Sequence, residues 1–419
     1  MDQKKHIWIV NFYTAPPEYD THLRHRKFAN YLRDHGYDVT IISSSFLHGK
    51  NIDLIKNGEK YIEYDYEGVR YIHIKTKPYI GNGLARMFSI FLFTVRLCLL
   101  KNKFKHPDVV VHNAHVPFDT LVYRCARKLK AKYIVEAWDL WPESFVAFGL
   151  VSKDNPFLKI AYRMEKRLYA CADRIIFSME GGKDYIMEKG WSEEQGGPID
   201  LKKVFYINNG VDLQDFEHNR MSCKIEDEDL ENQDCFKVVY LGAIRLVNNV
   251  KLLLDAAAYL RSYKNIKFLI YGDGSEREKL ENYCRENHLT NVVFKQKWVS
   301  LKYVPHILSC SSLNILNYKS NSVDRFGGSQ GKLFQYMASG KPICSNQVMG
   351  YDPIAKYNMG TAKNFGSAEE YANAIKKIYE SSEDEYVRMC QAALEAAKAY
   401  DYRVLSGQFL QVVEEVLGE

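Results

Sequence analysis

Phe326-Gly327-Gly328-Ser329-Gln330-Gly331-Lys332-Leu333-Phe334-Gln335-Tyr336-Met337-Ala338-Ser339-Gly340-Lys341-Pro342 reads as a flexible loop, a helix start, a helix stop and a new strand. A helix start leaves backbone N–H groups without intrahelical partners, and these attract anions. Gly328 and Gly331 let the backbone approach a ligand closely. Lys332 adds a full positive charge, and Gln335 lies about one turn further on, in reach of a hydroxyl. The stretch is expected to hold a nucleotide diphosphate that carries sugar-like hydroxyls.

Strands and helices alternate outward from it. Upstream, Phe236–Leu241, Lys267–Tyr271, Val292–Phe294 and Leu313–Leu316 are short apolar runs that read as buried strands, with helices over 249–262 and 275–287. Pro342-Ile343-Cys344 continues the series, and 367–419 reads as helical throughout. The first half shows the same alternation: strands at 7–12, 38–42, 69–74, 108–111, 132–136, 174–177 and 204–207, with a helix over 21–35 stopped at Gly36. Such alternation implies an α/β fold of two doubly wound, Rossmann-like domains facing across a cleft. The expected division is 1–215 for the first domain, 216–395 for the second, and 396–419 as a C-terminal helix returning to the first. The acidic stretch Ser222–Asp234 is expected to be a surface loop near the boundary.

Composition agrees with a folded protein of this size. The 419 residues are enough for two cores, and 46% hydrophobic and 26% charged residues exclude a disordered chain. Nine cysteines stand singly with no CxxC pair, which excludes a thiolate zinc motif or a disulfide frame and suits a reducing cytoplasm. Met1 to His6 leads straight into a strand, so no signal peptide is expected. Met87–Leu100, the most apolar run, is too short to span a bilayer. Net charge is +5, but residues 1–150 hold 22 Lys and Arg against 15 Asp and Glu, a balance of +7 that leaves −2 elsewhere. An anionic partner for the first half, or a solvated basic face, follows equally from that charge.

In doubly wound sheets ligands bind beyond the carboxyl ends of the strands. Gly242 permits a tight strand exit, Arg245 offers a two-pronged phosphate contact, and Asn248 is placed to cap the next helix. Gly272 and Gly274 end a second strand in Tyr271-Gly272-Asp273-Gly274-Ser275. In the first half, His112 and His115 follow one strand. Asp139, Trp141 and Glu143 follow another, a wall of carboxylates and indoles suited to sugar rings. Tyr13 and Arg24 belong to the loop and helix start after the first strand.

Together these residues resemble the family 4 retaining glycosyltransferases of the two-Rossmann-domain, GT-B type, in the branch similar to WbuB that builds bacterial capsule and O-antigen polysaccharides. The resemblance runs nearly end to end. Its specific strings are Asp139-Leu140-Trp141-Pro142-Glu143-Ser144 and Lys332 to Pro342, joined by Ser45–His48, Lys75–Arg86, Asn209–Asp212 and Gly242–Asn249. It implies a nucleotide-sugar donor, usually UDP-linked, on the second domain and an acceptor on the first, with transfer that retains anomeric configuration. Gly242, Arg245, Asn248, Gly272, Gly274, Gly328, Ser329, Gly331, Lys332 and Gln335 would bind the donor. His115, Asp139 and Glu143 would be catalytic, with Tyr13, Arg24 and Trp141 on the acceptor side. No metal or other cofactor is implied, and no nucleic acid. The implied acceptor is a saccharide or a polyprenyl-diphosphate-linked sugar at the inner face of the cytoplasmic membrane. Residues 84–105, apolar with Arg86, Arg96, Lys101, Lys103 and Lys105, would lie on that surface or else pack as a plain amphipathic helix. The chain departs from the family where two glutamates are usual, at Gly327 and Gln335, and where a lysine is usual, at Asn248. These departures keep open an inactive partner subunit, and the shared architecture keeps open a sugar-nucleotide epimerase.

Overall fold

The computed structural model describes residues 4–19, 23–114 and 117–418. They form two compact units: residues 1–208 with 402–419, and residues 209–401. The first unit is built on the strands β1 (His6–Val10), β2 (Asp38–Ser44), β5 (Tyr61–Tyr66), β6 (Val69–Ile74), β7 (Val109–Asn113), β8 (Lys132–Ala137), β9 (Arg174–Phe177) and β10 (Val204–Tyr206), with a small hairpin of β3 (Phe46–Leu47) and β4 (Ile52–Asp53). The sheet order is β10-β9-β8-β7-β1-β2-β6-β5. All neighbours are parallel except β5, which runs antiparallel along β6 at the edge. β1 is buried along its whole length, as a central parallel strand covered on both faces must be.

The helix Tyr402–Leu417 belongs to this unit and packs on the helix Arg24–Asp34. The Phe28 and Phe409 rings stack 4.5 Å apart, within a cluster that includes Leu32, Leu405, Val412 and Val413. Burying each such side chain contributes roughly 1.5–3 kcal/mol. The C-terminal stretch is helical as expected, and it is divided into three helices, Ala368–Tyr379, Glu383–Ala399 and Tyr402–Leu417. Ser382 caps Glu383–Ala399 by accepting from the Glu385 amide at 3.2 Å, and that helix stays in the second unit. The returning helix starts at Tyr402, and the chain leaves the first unit at Asn208.

The second unit holds β11 (Phe236–Leu241), β12 (Ile266–Tyr271), β13 (Val292–Phe294), β14 (Leu313–Leu316), β15 (Ile343–Ser345) and β16 (Gly360–Ala362). Their order is β13-β12-β11-β14-β15-β16, all parallel. Chain direction reverses its march across the sheet between β11 and β14, as it does between β1 and β7 in the first. One face is covered by Val250–Tyr259 and Ala368–Tyr379, the other by Gly331–Ala338 and Glu383–Ala399. The acidic stretch 222–234 is not a loose surface loop. Asp227 caps a helical turn, Glu228–Glu231, and buries Leu230. Asp227 and Asp229 hold the Lys295 ammonium at 2.7 and 2.6 Å, and Asp229 also takes Lys267 at 2.8 Å.

A buried ion cluster closes the first unit where the chain leaves it. The Arg24 guanidinium, 1% exposed, meets the Glu136 carboxylate at the end of β8 at 2.8 and 3.0 Å. It also donates to the backbone carbonyls of Ile207 and Asn208. His25 bonds the second Glu136 oxygen, and its ring faces Trp138 at 4.9 Å. Burial alone would raise the Glu136 pKa, but Arg24 and His25 together hold it at about 2.

Removing one partner of such a pair leaves a buried charge uncompensated, so Glu136→Gln is expected to cost about 3–5 kcal/mol, read in urea unfolding at pH 7. The Glu136 value lies below its unfolded value of ~4.3, so its stabilisation is complete above that pH and is lost as pH falls toward about 2. An E136Q protein with the parent urea midpoint at pH 7 would show that the cluster does not stabilise the fold.

Candidate functional site

The second sheet places its loops at the switch point between β11 and β14, where doubly wound sheets bind ligands. Backbone meets backbone there. A Cβ on Gly272 would stand 1.9 Å from the Gly242 carbonyl oxygen, and one on Gly274 would stand 2.3 Å from that of Ile244. Gly272 also has φ +119°, a conformation that side chains rarely adopt. The Ile244 amide donates to Asp273 at 2.8 Å, so the loops after β11 and β12 are zipped beyond the strands. The Asn317 side chain donates to the Asn249 carbonyl at 3.2 Å, and the Lys319 amide to Val247 at 2.8 Å, drawing in the loop after β14.

The helix Gly331–Ala338 starts at this edge, and no side chain caps its N-terminus. The Gly331 and Lys332 amides therefore have no carbonyl partner within the helix, while the Leu333 amide donates to the Gln330 carbonyl at 2.9 Å. Lys332 reaches across to the turn after β11: a Cβ on Gly242 would lie 2.1 Å from its Nζ. The ammonium is 3.3 Å from the Tyr240 hydroxyl and lies 4.8 and 5.3 Å from the ring centres of Tyr240 and Tyr318. No carboxylate among the described residues pairs with it, and desolvation brings its pKa down to about 8.

The other donor-side candidates fall around this point. Ser329 is fixed by the Asn209 side chain, which donates to its hydroxyl at 2.8 Å. Gly328 packs so tightly that a Cβ would meet the Met349 sulfur at 2.3 Å. Gly331 has open space around it, and Gln335 is half-buried one turn along. Arg245 is exposed and has no ion-pair partner among the described residues. Asn248 is corrected in its capping role: it is buried in a 3-10 turn, and the N-cap position of Val250–Tyr259 is taken by Asn249 in the left-handed region.

In the first unit the residues after β1 and β6 gather around Tyr13. Arg86 donates through Nε to the Tyr13 hydroxyl at 2.8 Å and lies 5.0 Å over its ring. His48 bonds the Tyr79 hydroxyl at 3.0 Å, and its ring is 5.4 Å from that of Tyr13. Asp139 is exposed, and its carboxyl is raised above the ordinary value: desolvation outweighs its bond with Trp141 and the Arg86 charge. Trp141 is half-buried, edge-on to Phe145 at 4.3 Å.

Two first-unit assignments are corrected. Arg24 is consumed by Glu136 and cannot meet an acceptor. Glu143 is buried and accepts from Lys189 at 2.5 Å and from the Tyr162 hydroxyl, which makes it a brace for its loop rather than a free acid or base. His112 is likewise structural, bonded to the Tyr133 hydroxyl at 2.7 Å. His115 lies outside the described residues.

Several residues of the site escaped the sequence reading. Tyr240 and Tyr318 around Lys332 look like ordinary strand-end tyrosines. Arg277, nearly buried, donates to the carbonyls of Gly272 and Lys295 and so fixes the loop after β12. Its only sequence signal is a position just after the Gly272–Gly274 turn. Among the described residues no group of three or more His, Cys, Asp or Glu is arranged to hold a metal.

Two family models match the chain: Glycosyltransferase Family 4 over residues 26–215 and Glycosyl transferases group 1 over 223–396. A probable glycosyltransferase WbjE of Pseudomonas aeruginosa is 25% identical over 229 residues, 53% of this chain and 53% of that protein. The chain thus matches about half the length of this relative. Among solved structures, sucrose-phosphate synthase from Thermosynechococcus elongatus superposes with a TM-score of 0.72 at 15% identity, covering 99% of this chain and 100% of that one. HepE of Anabaena, in complex with UDP and glucose, gives 0.65 at 14% identity, covering 98% and 100%. An Escherichia coli trehalose-6-phosphate structure bound with UDP-2-fluoro glucose gives 0.73 at 12% identity, covering 97% and 98%. These likenesses establish two Rossmann-like units of the GT-B type.

The glycine contacts separate two substitutions. Gly272→Ala must displace the Gly242 carbonyl and is expected to cost at least ~1–3 kcal/mol through backbone strain alone. Gly331→Ala enters open space in a helix and is expected to leave stability unchanged or raise it slightly. Thermal unfolding of the two variants tests the contrast, and equal midpoints would contradict it.

Proposed function

Because the chain belongs to the glycosyltransferases, with a Glycosyltransferase Family 4 first unit and a group 1 second unit, we propose that it transfers a sugar from a UDP-linked donor to a saccharide or polyprenyl-diphosphate-linked acceptor, with retention, in bacterial surface polysaccharide assembly. The observation that carries this reading is Lys332. It is an ammonium with no carboxylate partner among the described residues, set beside an uncapped helix start and bare glycine turns. That arrangement offers preorganised positive potential to a diphosphate leaving group, whose charge grows as the sugar–oxygen bond breaks. Arg245, exposed and unpaired, is placed on the adjoining loop for a second phosphate contact. Gln335 faces the ribose as a neutral hydrogen-bonding group. The likeness to HepE with UDP and to the E. coli structure with UDP-2-fluoro glucose supports the uridine nucleotide. The likeness to WbjE, a probable glycosyltransferase, supports the transfer of a sugar.

On the acceptor side the reading uses Tyr13, Arg86 and the exposed Asp139, with Trp141 nearby. His115 keeps its proposed place beside the transferred sugar. The helix Leu84–Leu100 supports a lipid-linked acceptor. Its inner face, including Ile90, Phe93 and Leu97, is buried, yet Leu84 and Leu99 on its outer face are 87% and 76% exposed. A helix apolar on both faces suits contact with a membrane surface better than with water alone. No helix among the described residues is long and apolar enough to cross a membrane. A peripheral position on the inner face of the cytoplasmic membrane follows as part of the proposal. Arg86, Arg96 and Lys105 are engaged within the fold, with Tyr13, the Lys75 carbonyl and Asp38.

The experiment is a thermal-shift screen of nucleotide sugars followed by UDP release with a lipid-linked acceptor. Stabilisation by a UDP-sugar and acceptor-dependent release support the proposal. Binding without release identifies an inactive partner, and interconversion of the sugar nucleotide without an acceptor identifies an epimerase. Arg245→Ala is expected to weaken UDP binding by about 1.5–3 kcal/mol, measured by calorimetry; unchanged affinity takes Arg245 out of the pocket. UDP should bind the charged form of Lys332, so affinity is expected to hold below pH ~8 and to fall as pH rises above it. Lys332→Met should abolish that step between pH 7 and 9.5.

A further inference from the structure

The first unit carries a second apolar projection that the proposed function does not use. The short helix Glu143–Ala147 ends in an exposed corner, Phe148-Gly149-Leu150, and the helix Pro156–Cys171 follows it. Leu150 is 70% exposed and Phe157 76%, with Phe148 and Ile160 more than half exposed. The inner face of the helix is set by Leu158, Glu165, Leu168 and Tyr169, all buried. Phe157 and Ile160, three residues apart, therefore share an outward stripe.

Cations flank that stripe. Lys159, Arg163 and Arg167 are exposed on the same helix, and none has an ion-pair partner among the described residues. The helix Asp119–Lys128 packs between this helix and Leu84–Leu100, and it adds exposed Arg124 and Lys128. The acids of the layer are turned away: Asp119 and Glu165 are buried, and Asp173 is bonded to the Tyr133 amide. Asp154 is the one exposed carboxylate between Phe148 and Arg167.

Apolar tips beside unpaired charges of a single sign match a surface that is uniformly anionic over an apolar interior. We infer that the corner Phe148–Leu150 and the outward stripe of Pro156–Cys171 form a second membrane contact of the first unit, in which Phe148, Leu150, Phe157 and Ile160 enter the headgroup region of an anionic bilayer and Lys159, Arg163 and Arg167 meet its phosphates. This contact rests on the lipid-linked acceptor reading and deepens it. The helix Pro156–Cys171 starts just downstream of the loop that holds Asp139.

The test is co-sedimentation of the full chain with phosphatidylcholine vesicles, with and without phosphatidylglycerol. The parent protein should bind vesicles that contain phosphatidylglycerol. Combining Phe148→Ser, Leu150→Ser, Phe157→Ser and Ile160→Ser should lower partitioning by about tenfold or more. Combining Lys159→Gln, Arg163→Gln and Arg167→Gln should lower it by roughly fivefold per charge, and only on anionic vesicles. UDP affinity and the thermal midpoint should not change in either variant, so failure here is distinct from failure of the transferase reading. In a Phe157→Trp protein, added fluorescence quenched by brominated phospholipid would report insertion directly. Unchanged partitioning, or no quenching at position 157, overturns the inference. So does loss of self-association, in place of loss of vesicle binding, in sedimentation velocity.

Discussion

Lys332 can lie beside bare peptide because Gly242 and Gly272 bring no side chains to the place where their two turns touch. The Gly242 carbonyl stands where a Cβ of residue 272 would be, and the Lys332 ammonium stands where a Cβ of residue 242 would be. A larger residue at 242 displaces the tip of the Lys332 side chain from this space, and one at 272 pushes the turns after β11 and β12 apart. The helix start and the strand ends thus share one small space, and the charge of Lys332 falls inside it. Keeping an ammonium there without a carboxylate costs free energy, which is visible in its lowered pKa. An anion that enters the space recovers that cost. The site is held open toward negative charge by its own backbone packing.

The first unit solves its electrostatics in the opposite way. Arg24 and Glu136 neutralise each other in the interior with His25 bonded to the same carboxylate, and Glu143 is tied to Lys189 and Tyr162. Those charges are spent on shape: one cluster fixes the last residues before the chain leaves the unit, the other braces the loop that carries Asp139. Asp139 itself stays exposed, and Arg86 is shared with a tyrosine rather than an acid. A surface of this kind, hydroxyls and rings with little net charge in the hollow, suits a sugar more than a phosphate. The two sheets share a switch point beside their first strand and offer opposite chemistry at their carboxyl ends.

That contrast explains what could be read from the sequence. Parallel strands buried on both faces are continuous apolar runs, so β1, β11, β12 and β14 stood out, and glycines that follow a strand pointed to the site in the second unit. β5 and β16 were missed because an edge strand is only half-covered, and Tyr61–Tyr66 alternates with acids instead of forming an apolar run. Charged residues were legible by position but not by partner. Arg24 and Glu143 follow strands as functional residues do, yet each meets its counter-charge from a distant stretch, at Glu136 and Lys189. Long-range pairing leaves no local pattern. The tyrosines around Lys332 were hidden for the same reason, since Tyr240 lies on β11 and Tyr318 in the loop after β14, far apart in sequence.

The residue at 335 bears on Lys332 in a way that its own hydrogen bonding does not exhaust. Residues three apart on a helix share a face, and an acid there would be a near neighbour of the Lys332 ammonium. A carboxylate at that position would draw part of the lysine's field and raise its pKa. Gln335 draws none, and no other acid among the described residues does so. The neutral side chain weakens a contact to a ribose hydroxyl, since a hydrogen bond to a charged group is about twice as strong. It also leaves the full lysine charge to the diphosphate. In the proposed donor site, glutamine in place of the usual glutamate would shift binding from the sugar of a nucleotide toward its phosphates, while leaving Lys332 in place to stabilise a leaving diphosphate.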